Sequence, residues 1–340
     1  MSWRDLDRLP PAETTSWEAR RIGGRRIIGK AAVDAAVAKW NPLDPLVVSP
    51  AGSSRFLTVL HVDEYRNRVH EALRRKHVAS IAVLLVLGVL LAASGLVADR
   101  ASAVRAGTVA LVVGAFVLAD YYLVVRHIDA LAERALFIVW IVRRGAMHTL
   151  IASVALLAIG GLQLYAEMRV GGREALLVAI GAVRGLAADE PWRIVVGPFL
   201  HGSVTHWLTN FAMLAVGSAI AGPLLSGARP AVLFVCGSTF GALASLAVEA
   251  TAPSDVYVGV SAGIFALLGW CAGAALRCPA SFPSRFAVTA GGFALLNVTL
   301  AWLAAPSSST AGHVGGMLLG VLAGLFVPPA CESANSHGRG

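Results

Sequence analysis

Ser261, in Gly259-Val260-Ser261-Ala262-Gly263, and His313, in Ala311-Gly312-His313-Val314-Gly315-Gly316, are polar residues set inside long apolar stretches. Polar side chains within a membrane span are costly to bury and mark function, each being the other's candidate partner. A serine beside a histidine is a nucleophile beside its base: the imidazole takes the hydroxyl proton during attack on a carbonyl and returns it to the leaving amine. His206 and Asn210 stand at i and i+4, one above the other on one helix face, so both can point at one target. Ser261 falls near a helix start, where free backbone N–H groups and the dipole stabilise a developing oxyanion. No acidic third member is visible beside the pair.

Each of these residues also has a structural reading. A serine in a membrane helix commonly bonds its own backbone, and a lone histidine there can be structural. Gly259, Gly263, Gly269 and Gly273 in one stretch and Gly312, Gly315, Gly316, Gly320 and Gly324 in another fit ordinary small-residue helix packing, which would also bring Ser261 within reach of His313. His201 with His206 suggests a metal, but five residues turn an ideal helix by about 140°, off a common face. With Glu249 a weak third ligand, no metal is expected.

The elements that must position these groups are membrane helices. The chain has 340 residues, 56% hydrophobic and 14% charged, with a mean hydropathy of +0.69, far from a soluble balance. Apolar stretches near the roughly 20 residues that cross a bilayer run over 78–98, 106–125, 147–166, 206–221, 231–248, 259–276, 286–304 and 313–327. Eight spans are expected, the last six closely spaced. His206 opens the fourth, Ser261 the sixth and His313 the eighth, each two crossings from the next, so three parallel helices should bring these groups to one leaflet at similar depth.

The net charge of +8 and the pI near 9.9 are explained by topology rather than by nucleic acid. Arg74, Arg75, Lys76, Arg126, Arg134, Arg143, Arg144, Arg277 and Arg285 fall on one side of the expected spans, which puts both termini in the cytoplasm. Residues 1–77 hold 14 of the 28 Lys+Arg and read as a small, partly ordered cytoplasmic region resting on anionic lipid. The apolar run 135–142 is too short to cross and reads as an interfacial helix; 175–183 reads as a segment dipping into the outer leaflet. Cys236, Cys271, Cys278 and Cys331 form no CxxC pair, so neither a disulfide framework nor a zinc knuckle is expected. No short apolar h-region precedes the first expected span, so no cleavable signal peptide is expected.

From 147 to 327 the chain resembles the rhomboid intramembrane serine proteases, through Trp192-Arg193, His201 followed by His206 and Asn210, Gly259-Val260-Ser261 and Gly312-His313-Val314-Gly315-Gly316 in that order. The resemblance implies Ser261 as nucleophile, His313 as general base and acid, and His206, Asn210 and the Ser261 backbone N–H as the oxyanion hole. It also implies Phe265 as the aromatic packed on the histidine, His201 as a support of loop structure, Trp192 and Arg193 as anchors of the first loop, and no cofactor. One position departs from the family: Ala262 stands where rhomboids usually have glycine, placing a methyl beside the nucleophile.

The expected architecture is therefore an all-α membrane protein: a cytoplasmic region (1–77), two extra transmembrane helices with an interfacial linker (78–146), a six-helix rhomboid core (147–328) and a cytoplasmic tail (329–340). The expected activity is endopeptidase cleavage of transmembrane protein substrates near the outer face. A non-catalytic binder of membrane helices, resting on Ala262, and a transporter using the histidines as a relay are the other classes. Expected partners are membrane-anchored substrates and lipids, not nucleic acid. Arginine heavily outnumbers lysine and alanine is abundant, which points to a GC-rich coding bias and a bacterial plasma membrane.

Overall fold

The computed structural model describes residues 17–330 apart from 23, 51–56, 250–251, 253–254 and 305–308. Cys331 and all but the first two residues of the expected tail lie outside the described residues. The chain forms two compact units, Met1–Arg143 with Ala280–Thr289 and Arg144–Pro279 with Ala290–Gly340.

The first unit opens with a small sheet where an all-α protein was expected. Strands β1 (Trp17–Arg21), β2 (Arg26–Ile28), β3 (Leu46–Pro50) and β4 (Leu57–Thr58) pair antiparallel in the order β2-β1-β3-β4, with helix α1 (Lys30–Ala38) between β2 and β3. Ala19, Leu46 and Val48 are fully buried, and Val33 and Val37, one turn apart on α1, close over them. Asp44 holds the α1–β3 loop: its carboxylate accepts from Arg21 Nη2 at 2.8 Å and its carbonyl from Trp40 Nε1 at 3.0 Å. The same core takes in Tyr65, Val69 and Leu73, at i, i+4 and i+8 on the next helix, α2 (Asp63–Val97).

Helix α2 turns at Asp99, in the left-handed region at φ 51°, into α3 (Ala101–Asp120), which a π turn extends to Val125. The pair packs glycine to backbone: a Cβ on Gly107 would lie 2.4 Å from Ala92 N. Helix α4 (Ile128–Val170) follows as 43 residues without a break, about 64 Å at 1.5 Å per residue. The run 135–142 is therefore not a separate interfacial helix. Ala135, Leu136, Phe137 and Val139 are buried within α4, and Phe137 packs edge-on to Phe286 at 5.2 Å.

The second unit continues with α5 (Arg173–Ile180), β5 (Ala182–Val183), α6 (Trp192–Val196), α7 (Val204–Leu225), α8 (Arg229–Val248), β6 (Val256–Tyr257), α9 (Ser261–Arg277), α10 (Phe286–Ala304, which begins in the first unit) and α11 (Thr310–Phe326). The 175–183 segment is mostly the short helix α5, ending in a strand that pairs with β6. Helix α9 is the centre: every residue from Ala262 to Ala275 is buried, flanked by α7, α8 and α11. Trp270 Nε1 donates to Val327 O at 3.1 Å and ties its far half to the end of α11.

The expectation of a six-span core preceded by two extra spans is corrected. Among the described residues six helices in all are long and apolar enough to cross a membrane: Asp63–Val97, Ala101–Val125, Ile128–Val170, Val204–Leu225, Arg229–Val248 and Phe286–Leu303. Helices α9 and α11 have 17 residues each, about 25 Å against the roughly 30 Å of a bilayer core. Their ends explain the shortfall. Upstream of α9, β6 is extended and Gly259 is left-handed at φ 106°, so helix cannot begin before Ser261; downstream, Pro279 disfavours helix at Cys278. Ser309 caps α11 by accepting from Gly312 N, and Pro328 and Pro329 stop it after Phe326. The chain is a multi-pass integral membrane protein.

Candidate active site

Ser261 is the first residue of α9 and half-buried. Its amide and that of Ala262 have no carbonyl within the helix to donate to. The left-handed Gly259 turns the chain from β6 into α9 where a side chain has no room, since a Cβ there would lie 2.4 Å from His206 Cε1 and 3.5 Å from Asn210 Nδ2. The turn before Ser261 is thus pressed against His206 and Asn210, which α7 presents one turn apart. Asn210 is 3% exposed, and its Nδ2 is a buried donor without a protein acceptor.

His313 lies in the first turn of α11, 6% exposed, and its Nε2 stands 2.8 Å from Ser261 Oγ. Phe265, one turn into α9, packs on the imidazole with ring centroids 4.7 Å apart. Glycine makes the approach of the two helices close enough: a Cβ on Gly316 would lie 2.1 Å from Ala262 O, and one on Gly320 2.1 Å from Ala266 O. The Ala262 methyl, fully buried, fills the notch at Gly241 of α8, where a Cβ would be 2.2 Å from it. It therefore occupies a helix interface rather than the space over Ser261.

His201 lies outside this cluster's hydrogen bonds. Gln163 of α4 brackets its main chain, accepting from His201 N at 2.9 Å and donating to His201 O at 2.8 Å. Its ring is 2% exposed and meets His206 edge-on at 5.4 Å. Burial, with His206 adding to it, pushes the His201 imidazole down to about 4. Among the described residues no group of three or more His, Cys, Asp or Glu is placed to hold a metal. Arg193 is buried and donates from Nη1 to Val178 O at 2.9 Å and Gly181 O at 3.2 Å, so it fastens the loop between α5 and α6; Trp192 stays 45% exposed with the guanidinium 4.9 Å from its ring.

Two further residues at the site escaped the sequence reading as members of it. Tyr257, four residues before Ser261, is buried against Gly312, its hydroxyl beside Ser261 and raised in pKa mainly by burial. Glu249, weighed only as a metal ligand, accepts from Ala311 N at 2.7 Å at the start of α11. For Tyr257 the signal in the chain was its i−4 spacing from the serine; for Glu249 none existed, because its partner lies 62 residues away.

Fold and site together define a multi-pass membrane protein with a Ser–His pair seated between two closely packed short helices. Residues 188–330 match the family model of the Rhomboid domain, so a Rhomboid-family domain occupies this part of the chain and contains every site residue named above except Gln163, Val178 and Gly181. No curated protein matches the chain. The match begins after α4, the helix expected to open the core.

Proposed function

We propose that this protein is an intramembrane serine endopeptidase that cuts transmembrane segments of membrane-anchored proteins near the outer face. The observation that carries the reading is the 2.8 Å contact between His313 Nε2 and Ser261 Oγ. At that distance the imidazole accepts the hydroxyl proton as Oγ attacks the scissile carbonyl. The carbonyl oxygen, now negative, is met by the free Ser261 amide, Asn210 Nδ2 and the His206 ring. His313 returns its proton to the leaving amine, and a water activated by the same imidazole then hydrolyses the acyl-enzyme. Phe265 holds the ring in the plane this transfer needs. The Ala262 methyl is turned into α8, so nothing at that position favours a non-catalytic binder.

The test is labelling of the full chain in membranes with a fluorophosphonate, alongside cleavage of a transmembrane reporter. Wild type should label and cleave, and Ser261→Ala should do neither. Equal labelling of the two would sink the assignment of the nucleophile.

A further inference from the structure

Among the described residues the Ser–His pair has no acidic third member in contact with the imidazole, and His313 Nδ1 is buried without a hydrogen-bond partner. The ring is instead held by its helix and by Phe265, so whatever fixes the first turn of α11 helps to fix the base. That turn follows residues 305–308, outside the described ones, and three of its amides are accounted for: Ala311 N donates to Glu249 Oε1 at 2.7 Å, Gly312 N to Ser309 Oγ at 2.8 Å, and His313 N to Ser309 O at 3.2 Å. Ser309 Oγ in turn donates to Glu249 Oε2, which also accepts from Ser245 Oγ at 3.4 Å. Glu249 is the C-cap residue of α8, so one carboxylate ties the end of α8 both to the first turn of α11 and, through Ser309, to the cap itself.

Charge reinforces the geometry. The N-terminal end of a helix carries a partial positive charge, which opposes the positive charge that His313 acquires in the first turn of α11 when it takes the serine proton. A carboxylate seated on that terminus offsets the opposition. We propose that Glu249 is a positioning residue for His313, holding the first turn of α11 against α8 and supplying from the helix terminus the negative charge that a triad carboxylate supplies by direct contact. This rests on the protease reading above.

The experiment compares Glu249→Ala and Glu249→Gln in the full chain by two readouts: kcat and KM on the transmembrane reporter, and amide hydrogen exchange of peptides spanning 309–316. Glu249→Ala should lower kcat about 10-fold or more with KM within about twofold, since the interaction serves the transition state rather than substrate binding, and should speed exchange at Ala311 to His313. Glu249→Gln keeps a carbonyl acceptor for Ala311 N and turns an amide N–H toward Ser309 Oγ, which then accepts instead of donating, so it should restore much of the slow exchange and recover part of kcat. Unchanged exchange in Glu249→Ala overturns the inference whether or not any cleavage is seen. Faster exchange with unchanged kcat overturns its catalytic half. A wild type that neither labels nor cleaves overturns the protease reading instead, and the exchange result then decides the cap alone.

Discussion

Two helix pairs in this molecule use the same packing device to different ends. In the first unit α2 and α3 meet along Gly88, Gly95, Gly107 and Gly114; in the second α9 and α11 meet along Gly269, Gly273, Gly316, Gly320 and Gly324. Both seams bring backbone onto backbone, and in both an added Cβ would fall within about 2.1–2.7 Å of a neighbouring atom at most positions. What differs is the surroundings. Only 17% of the most apolar window of α2, and of α3, is buried, whereas α9 is enclosed from Ala262 to Ala275. Polar groups sit at the mouth of the second seam, and in a partly shielded, low-dielectric site a Ser–His hydrogen bond and unpaired donors count for more than they do in bulk water. Close glycine packing is thus a scaffold rather than a signature of function, and it becomes a site only where enclosure and polar residues coincide.

The comparison breaks most directly if the second seam carries no chemistry. Ser261→Ala and His313→Ala should each lower cleavage of a transmembrane reporter by at least about 10³-fold; Ser261→Ala should leave thermal stability close to wild type, whereas His313→Ala, which removes a buried ring packed on Phe265, should also lower Tm. Next in size, Asn210→Ala should cost on the order of 10²-fold in kcat with little change in KM, the signature of a donor engaged in the transition state. A loss confined to KM would reassign Asn210 to substrate binding.

The two seams can then be set against each other by one substitution in each. Gly320→Ala and Gly107→Ala both drive a methyl onto a backbone atom, at 2.1 Å from Ala266 O and 2.4 Å from Ala92 N, and both should cost about 1–3 kcal/mol of stability. Only the first should also lower kcat, by on the order of 10²-fold, since an ångström of separation between α9 and α11 moves His313 off Ser261. Equal loss of activity from Gly107→Ala would mean that α2 and α3 are part of the working site after all.

How much of this was legible in the chain follows from what is local. Ser261, His313, His206 and Asn210 stood out because a polar residue in an apolar run needs no tertiary information to be noticed, and the i, i+4 spacing of the last two already set them on one face. Hydropathy marks where a chain is apolar, not where helix begins, so it could not see that Gly259 at φ 106° delays α9 to Ser261 or that two prolines end α11. The N-terminal sheet was hidden because β1 pairs with β3 some 30 residues on (Trp17 with Pro50) and its strands are too short for a clear alternation. Glu249 was hidden for the same reason of distance: an acid at the end of one helix acquires meaning only from the amide it caps on another. Ala262 depends on the same distant information: the chain places its methyl beside the nucleophile, and only the fold sets it against Gly241 of α8.

The smallest expected effect concerns His201, the one site histidine that the pair does not use. Its ring is buried and neutral, with a pKa down to about 4 against an ordinary 6.5. The unfolded chain therefore takes a proton that the folded chain refuses once pH falls below 6.5, and stability is lost from there until about pH 4; above 6.5 the ring contributes no pH dependence. At pH 5 the loss is on the order of 2 kcal/mol, a fall of a few degrees in Tm. Because Gln163 clasps the main chain of His201 rather than its ring, His201→Phe should keep the clasp and flatten the dependence. Thermal melts at pH 7.5 and pH 5 should then show a smaller drop for His201→Phe than for wild type, while Gly107→Ala in the α2–α3 seam should lower Tm at both pH values and leave the difference between them unaltered. Equal drops in wild type and His201→Phe would place the acid sensitivity elsewhere in the molecule.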